Sequence, residues 1–367
     1  MPIEVKDKEK EKNNKDDKGE EEVKRIALSP DRIIAKRFRV LDKLGEGGCG
    51  SVYKVEDLED NKQHYAMKVE FAAADAGNVL KMEVQVLSLM AQKKHVAKCI
   101  ASGKKEAYQY MIMTLLGDSL DSIVKKHGPF LNVSSQVRIG ISVLFGIKQI
   151  HDIGYIHRDL KPANVALGCK GSADERYFLV LDFGLARQYI LEKEKQRVMR
   201  RPREKALFRG TARYCSVAMH GRQEQGRVDD LWMLVYMLAE LRCRLAWQEV
   251  EDKVEIGEMK KAITDAELFA KSPVQMLEFV KLVRNTQFYE RPNYEKLFKL
   301  LDEVMKNADY KWSDPYHWEP DKKKLIAPKK LFTKKGVTTP TKESAEGGDL
   351  NAPYFTVDDF SSNPIGF

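Results

Sequence analysis

The feature that most constrains this chain is the segment YIHRDLKPANV, residues 155–165. It places Asp159, Lys161 and Asn164 at a spacing of D-x-K-x-x-N, directly after His157 and Arg158. A carboxylate, a cation and an amide at this spacing are typical of the catalytic loop of phosphoryl-transfer enzymes. We therefore expect Asp159 to accept a proton from a substrate hydroxyl, Lys161 to neutralise the moving phosphoryl group, and Asn164 to bind a metal ion.

A second motif, LDFGLAR, follows in the chain and contains Asp182, Phe183 and Gly184. A carboxylate at this position is expected to hold Mg²⁺ between the β- and γ-phosphates of ATP. The metal site predicted from the two motifs is formed by Asn164 and Asp182, and the expected cofactors are ATP and Mg²⁺.

A glycine-rich stretch, LGEGGCGSV, lies far upstream and matches G-x-G-x-x-G-x-V. Glycines allow the backbone to approach phosphates closely, and backbone N–H groups can then bind them. Taken alone, the stretch is nearly as consistent with a hairpin that binds nothing. The nucleotide-binding positions predicted here are Leu44, Gly45, Glu46, Gly47, Gly48, Cys49, Gly50, Ser51 and Val52. At the loop tip, a small tolerated residue is favoured for Cys49 over a reactive thiol.

Two charged residues lie between these motifs. Lys68 belongs to the predicted strand HYAMKVEF, and Glu83 to an amphipathic helix over VLKMEVQVLSLMAQ. Singly, each is consistent with an ordinary surface residue. Together they are the pair in which a carboxylate holds a lysine against the α- and β-phosphates. The order glycine loop, Lys68, Glu83, H-R-D and D-F-G is that of the protein kinases.

The order of predicted elements, strands first and helices second, indicates an α+β fold with two lobes and a cleft between them. We expect a protein kinase domain over residues 35–320, with a small, mainly β N-lobe (about 35–116) and a large, mainly α C-lobe (about 117–320). Residues 1–34 are rich in Lys, Glu, Asp and Asn and are predicted to be disordered. Residues 321–367 form a basic, then aromatic and acidic tail that is predicted to be largely disordered.

The composition bears on the binding partners and the cellular location of the protein. The net charge of +8 favours acidic partners, although a solvated surface explains it equally well, and no nucleic-acid-binding motif is recognisable. The five cysteines are scattered without metal or disulfide spacing, which is consistent with a reducing compartment. No secretory signal and no apolar run of about 20 residues is found. We expect an intracellular monomer in the cytoplasm, with the nucleus left open.

The chain resembles the casein kinase I superfamily over residues 35–320, and within it most closely the tau-tubulin kinase branch. GTARY followed by DDLW is specific to the superfamily, and Trp232 indicates the branch. The resemblance implies an ATP- and Mg²⁺-dependent protein kinase, and Lys161 two residues after Asp159 is the serine/threonine pattern. The segments that carry the resemblance are VLKMEVQVL, HRDLKPAN, LDFGLARQY, FRGTARYCSV, GRVDDLWMLVYMLAE and AWQEVEDK.

The resemblance also implies further roles. Met113 would be the gatekeeper of the adenine pocket, which Ala66 also lines, and Thr114 and Leu116 would offer backbone groups to adenine. Thr211 would orient Asp159, Asp230 would brace the catalytic loop, and Arg158 would face the activation segment.

Members of the superfamily can favour substrates that already carry a phosphate. Arg203 stands at the first basic position of the anion pocket that this preference uses, but Glu251 replaces the typical lysine at the second. We expect acidic or phosphorylated protein substrates, with cytoskeletal proteins among the candidates. The hypothetical anion site consists of Arg201, Arg203, Arg242 and Arg244.

The loop from Leu185 to Gly210 contains no Ser and no Thr, and Tyr189 is its only hydroxyl residue. The usual phosphorylation switch therefore has no acceptor, and the sequence predicts activity without phosphorylation of this loop.

Two other classes of function stay open. A pseudokinase scaffold would bind partners without phosphoryl transfer, but Lys68, Glu83, Asp159, Asn164 and Asp182 are all present. A nucleic-acid-binding module would rest on charge alone. The basic stretch at residues 322–335 could bind phosphorylated filaments, anionic lipid or nucleic acid, with a solvated tail favoured over all three.

Overall fold

The computed structural model describes residues 27–47, 50–60, 62–71, 79–320 and 354–367. The N-terminal part is an antiparallel sheet of six strands in the order β1-β2-β3-β4-β6-β5, with one helix, α1, against it. These elements are β1 (Ile33–Ile34), β2 (Phe38–Gly47), β3 (Gly50–Asp57), β4 (His64–Phe71), α1 (Val79–Leu89), β5 (Cys99–Lys104) and β6 (Tyr108–Thr114).

Alternation of side chains builds this sheet. Along β3, Ser51, Tyr53 and Val55 are buried while the residues between them are partly exposed. This period of two places one face of the sheet in a small core with Phe38 and Val40 of β2. The other face looks towards α1 and the cleft.

The C-terminal part is mainly helical. α3 is buried along nearly its whole length, and α5 is apolar on most sides and forms the centre of the lobe. The expected two-lobed α+β architecture is confirmed. The helices are α2 (Leu120–His127), α3 (Val133–Asp152), α4 (Val217–His220), α5 (Arg227–Glu240), α6 (Lys253–Ala262), α7 (Asp265–Leu268), α8 (Gln275–Asn285), α9 (Tyr294–Asn307) and α10 (Val357–Ser361).

Short strands flank the H-R-D and D-F-G motifs. The H-R-D segment lies between β8 and β9, and the D-F-G segment between β10 and β11. Because β8 pairs with β11 and β9 pairs with β10, both motifs are held at the same edge of the lobe. The strands are β7 (Leu116–Ser119), β8 (Tyr155–Ile156), β9 (Val165–Gly168), β10 (Phe178–Val180), β11 (Arg187–Gln188), β12 (Ile190–Lys193) and β13 (Gln196–Met199).

The structure differs from the sequence expectation at both ends of the domain. Residues 27–34 were assigned to the disordered N-terminal segment, but Leu28 is buried and its N–H donates to the Tyr53 hydroxyl at 3.2 Å. Residues 354–367, which belong to the tail predicted to be largely disordered, contain α10 with Phe360 fully buried. Isolated apolar residues within polar segments supply the contacts in both cases. Residues 1–26 and 321–353 lie outside the described residues.

Within the described ranges, no helix is both long and apolar enough to cross a bilayer.

Candidate active site

The glycine-rich hairpin joins β2 and β3, with Gly47 opposite Gly50. Gly50 has φ of 147°, and a Cβ there would lie 1.8 Å from the carbonyl oxygen of Val69, so only glycine fits. A Cβ at Gly45 or Gly47 would meet no atom within 4 Å, which leaves open space beside the hairpin.

Other predicted positions of this loop have mixed environments. Ser51 is buried, Val52 packs against the core, and Leu44 is half exposed. Gly48 and Cys49 lie outside the described residues.

Lys68 on β4 meets its predicted partner Glu83 and also Asp182, the predicted metal ligand. Its Nζ donates to Glu83 Oε2 at 2.6 Å and to Asp182 Oδ1 at 3.0 Å. Glu83 lies on the buried face of α1, and Asp182 takes a left-handed backbone conformation (φ 62°) before a short 3-10 helix, Phe183–Leu185. Residues 15 and 114 positions away in sequence thus converge on one ammonium group.

Burial and charge compete in this triad. Burial alone would lower the pKa of Lys68, but the carboxylates of Glu83 and Asp182 hold that pKa above its ordinary value. Burial would raise the pKa of Asp182, yet the Lys68 charge lowers it. The pKa of Glu83 is raised because its burial outweighs the Lys68 charge. The ammonium and the Asp182 carboxylate are therefore both charged at neutral pH.

Asp159 is held by three neighbours at the end of the catalytic loop. Its Oδ1 accepts from Thr211 Oγ1 at 2.7 Å and its Oδ2 from Lys161 Nζ at 2.8 Å. Asn164 donates through Nδ2 to the Asp159 carbonyl at 2.8 Å. The side chain of Asp159 is 10% exposed, so a carboxylate with a fixed orientation faces the cleft.

Asp230 of α5 supports the loop from behind. Its carboxylate accepts from the backbone N–H of His157 at 2.7 Å and of Arg158 at 2.8 Å, and it lies 2.9 Å from His151 Nε2. Burial would raise the pKa of Asp230, but the hydrogen bond and charge of His151 lead the contributions that keep it low. The buried carboxylate thereby stabilises Arg158 at its φ of 71°.

The predicted adenine pocket lies where β4 and β6 pair. Ala66 faces Met113 in the register, and both are nearly buried. Thr114 follows directly, and its hydroxyl accepts from the Lys98 N–H at 2.8 Å. Leu116 begins β7, so Thr114 and Leu116 lie at the connection between the lobes, and Ala66 and Met113 lie on the strands beside it.

The four predicted anion-site arginines do not share a common contact among the described residues. Arg203 makes a two-point ion pair with Glu224, through Nε at 2.5 Å and Nη2 at 3.0 Å. Arg201 is exposed. Arg242 donates to the carbonyl oxygens of Lys271 and Leu131, and Arg244 lies 2.6 Å from Glu249.

A different basic cluster surrounds Arg203. Arg187 Nε lies 3.6 Å from Glu224, and Arg158 donates to the carbonyl of Leu185 at 2.7 Å. Burial lowers the pKa of Arg158 to about 10, and the charge of nearby Arg187 adds to this effect. Sequence reasoning assigned no role to Arg187, the last residue of LDFGLAR, or to Glu224, which belongs to no motif.

A cavity of about 320 Å³ opens beside the catalytic loop. Lys161 and Thr211 lie at one side, and Trp247, Val250 and Ile256 give it an apolar wall. Lys161 and Thr211, which line the cavity, are also the side chains that donate to the Asp159 carboxylate.

Lys260 of α6 supports the loop that borders this cavity. It is 4% exposed and donates to the carbonyl oxygens of Ala212 at 2.7 Å and Cys215 at 2.6 Å. Its Nζ also lies 4.6 Å from the Tyr236 ring centroid, and burial lowers the pKa of Lys260 to about 8. Sequence reasoning did not identify Lys260, which lies in an ordinary KK pair of an amphipathic helix.

The fold and this constellation agree with what the chain is similar to. The family model for the protein kinase domain matches residues 38–306, and the chain belongs to the protein kinase family. The Caenorhabditis elegans protein named "Putative serine/threonine-protein kinase K06H7.1" is 72% identical over 338 residues, which cover 91% of this chain and 96% of that protein.

More distant relatives place the chain further within the family. The C. elegans "Putative casein kinase I C03C10.2" is 33% identical over 82% of this chain and 88% of its own length. The C. elegans "Inactive tau-tubulin kinase ttbk-6" is 31% identical over 64% of this chain and 83% of its own length. The predicted resemblance to casein kinase I and tau-tubulin kinases is confirmed.

Proposed function

We propose that this chain is an active kinase that transfers the γ-phosphoryl group of ATP to serine and threonine hydroxyls of proteins. The observation that carries the proposal is the simultaneous contact of Lys68 with Glu83 and Asp182, 2.6 and 3.0 Å away. This contact supports a single site in which Lys68 binds phosphate and Asp182 binds the metal ion. Protein kinases need both in place for transfer.

The residues at this site fit Mg²⁺. The ion prefers oxygen ligands and is commonly bound by one or two protein groups together with nucleotide phosphates. Asp182 supplies a charged carboxylate, and Asn164 supplies its amide oxygen. The Nδ2 group of Asn164 already donates to the Asp159 carbonyl, which leaves the oxygen for the ion. Bound there with ATP, Mg²⁺ would neutralise the charge that develops on the phosphate oxygens.

The chain's own residues account for the handling of the acceptor. Asp159 receives the hydroxyl proton, and its two oxygens are oriented by Thr211 and Lys161. The Lys161 ammonium lies beside the path of the phosphoryl group and offsets its negative charge. Lys68 binds the non-transferred phosphates and keeps them in place.

A scaffold without activity is the competing proposal, and the relative named as inactive motivates it. Against it, all five catalytic positions are present in this chain, and the structure brings Lys68, Glu83 and Asp182 into direct contact. Transfer of radiolabel from ATP to an acidic protein distinguishes the active-kinase hypothesis from the scaffold hypothesis. Wild type should transfer and Asp182→Asn should not; equal signals from both would refute the assignment.

For the substrate, we propose acidic or phosphorylated proteins, cytoskeletal ones among them. Arg158, Arg187 and Arg203 together carry three positive charges against the single carboxylate of Glu224, so an anion beside them would be favoured. A library of phosphorylated and plain peptides, run with wild type and Asp159→Asn, would define this preference. A monomer acting in the cytoplasm is the setting we propose.

A further inference from the structure

The last described stretch of the chain, Tyr354–Phe367, is here called the C-terminal segment. Its helix α10 begins with a capping box, in which Thr356 Oγ1 accepts from the Asp359 N–H and Asp359 Oδ2 accepts from the Thr356 N–H. Phe355 and Phe360 are 5% and 0% exposed, while Val357 between them is 39% exposed. The segment thus has one apolar side that is fully covered by the kinase domain.

The surface that covers it is an aromatic groove at the back of the C-lobe, formed by Phe145, Tyr177, Phe298 and Trp312. The Phe360 ring stacks on Phe298 with centroids 4.3 Å apart and planes 8° apart. Phe355 contacts Phe145 and Trp312 at centroid distances of 5.1 and 5.2 Å. Aromatic pairs at these separations are favourable beyond the apolar area that they bury.

Polar contacts fix the direction of the segment. Lys148 of α3, whose side chain is 1% exposed, donates to Asp152 at 2.6 Å and to the Ser362 hydroxyl at 2.9 Å. Arg291 donates to the Ser362 carbonyl at 2.7 Å. A buried ammonium needs acceptors, and here the segment supplies one of them.

The far end of the segment reaches the activation segment. Ile365 and Phe367 pack against a small core made of Ile156, Tyr189 and Ile190. Ile156 directly precedes the H-R-D motif, and Ile190 begins the hairpin of β12 and β13. One continuous stretch of chain therefore connects the aromatic groove with the base of the activation segment.

We propose that the aromatic groove is a docking site for the chain's own C-terminal segment, and that the docked segment holds the activation segment in place. The activation segment lacks Ser and Thr from residue 185 to 210, so packing has to supply the order that a phosphate supplies elsewhere. Ile365 and Phe367 act as positioning residues. Their effect on turnover rests on the proposed kinase function, whereas docking itself does not.

The test is amide hydrogen exchange on the full chain. Phe360→Ala removes the stacked ring, and Val357→Ala is the matched control on the exposed side of the same helix. In Phe360→Ala we expect exchange to rise about tenfold or more both in residues 354–367 and in residues 187–199, because loss of a buried aromatic ring favours local opening. Val357→Ala should leave both regions at wild-type exchange.

Rescue in trans makes the test specific. A synthetic peptide of residues 354–367, added to the Phe360→Ala chain, should restore protection of residues 187–199 and raise kcat/KM together. The same peptide with Phe360→Ala should restore neither. If Phe360→Ala does not fold, Phe367→Ala replaces it, since this partly exposed terminal residue leaves the groove intact and should deprotect residues 187–199 alone.

Three outcomes would overturn the proposal: unchanged exchange at residues 187–199 in both Phe360→Ala and Phe367→Ala, no rescue by the wild-type peptide, or protection that depends on protein concentration. The last result would mean that a second copy supplies the segment. If exchange and peptide rescue of protection behave as expected but wild type transfers no phosphate, the docking inference stands and the proposed function fails.

Discussion

The catalytic centre and the activation segment are neighbours that are held by different kinds of contact. In the catalytic centre, Lys68 lies 2.6 and 3.0 Å from the carboxylates of Glu83 and Asp182. In the activation segment, the buried Tyr189 donates its hydroxyl to the backbone carbonyl of His151 at 2.8 Å. The first region depends on full charges, and the second mainly on backbone acceptors and packed side chains.

This difference sets what each region should tolerate. Removing a charge from a buried ionic group leaves its partner uncompensated, so the catalytic centre should fail after a single substitution. Packed contacts are insensitive to salt and to phosphatase but sensitive to lost volume. Arg158 belongs to both regions, since Asp230 accepts from its N–H and its guanidinium donates to Leu185.

The largest effect is expected from Asp159→Asn. The amide cannot accept the substrate proton, so phosphoryl transfer should fall by about 10²–10⁴-fold. ATP affinity, measured by titration calorimetry, should stay within about twofold because the proposed role of Asp159 concerns the acceptor hydroxyl. Asp309→Asn, at a side chain that is 90% exposed, is the control. A large loss of ATP affinity in Asp159→Asn would contradict the assigned role.

Lys68→Met should reduce transfer by about 10²–10³-fold, the usual range for removing one stabilising charge or donor. The fold should survive, because the pKa of Glu83 is already raised by burial and the group can take up a proton. Steady-state kinetics and thermal unfolding check both statements. Lys104→Met, at an exposed position of β5, should behave as wild type. Near-normal turnover in folded Lys68→Met would mean that this lysine does not bind the phosphates.

Substitution of Lys260 tests whether a buried charged side chain affects the stability of a tightly packed region. Burial lowers its pKa to about 8, below the value of about 10.4 for an unfolded lysine. Between these pH values the unfolded chain keeps a proton that the folded chain has lost, so the free energy of unfolding rises with pH. Below pH 8 both states hold the proton and this dependence disappears.

Lys260→Met should therefore remove a slope of up to about 1.4 kcal/mol per pH unit from the wild-type profile above pH 8. Denaturant unfolding at several pH values measures it, with the exposed Lys261→Met as the matched control. A difference between wild type and Lys260→Met that stays constant with pH would show that Lys260 does not titrate in this range.

The two regions also differ in how far the sequence predicts them. Asp159, Lys161 and Asn164 lie within one short loop, so their spacing alone indicates their proximity. The partners of Lys68 lie far away in the chain, but each belongs to a motif of its own. The lobes followed from strand alternation and helical apolar spacing, which are local properties.

The rest depends on contacts that no local pattern encodes. Glu224 meets Arg203 only because the activation segment folds back on the lobe, and Arg242 is removed from the predicted anion site by carbonyl acceptors of a neighbouring loop. The aromatics of the C-terminal segment stood out from its tail composition. Their partners, Phe298 among them, are ordinary core residues of distant helices.

Arg203→Ala should have a smaller and selective effect. The Arg203 side chain is 41% exposed and pairs with Glu224, so its contribution to phosphate binding is screened by water. We expect kcat/KM for a phosphorylated peptide to fall by up to about fivefold and that for the plain peptide to change less. Arg201→Ala should lower kcat/KM for phosphorylated peptides less than Arg203→Ala does. Arg244→Ala is the control, because Arg244 pairs with Glu249 instead.

Raising the salt concentration should reduce the advantage of the phosphorylated peptide in wild type and leave the plain peptide unaffected, because exposed charges are screened. Equal losses for both peptides in Arg203→Ala would remove the anion site from the proposal.

The last prediction is that removing phosphate from the activation segment has no effect on activity. Its only hydroxyl residue, Tyr189, is buried, and burial raises the pKa of Tyr189 to about 12. Arg158, which pairs with a phosphorylated residue in many kinases, here donates to the Leu185 carbonyl. Enzyme made in a host without protein kinases and treated with phosphatase should therefore retain its full kcat/KM. If that enzyme were inert until another kinase modified residues 185–215, packing would not be what orders this segment, and the contrast with the catalytic centre would fail.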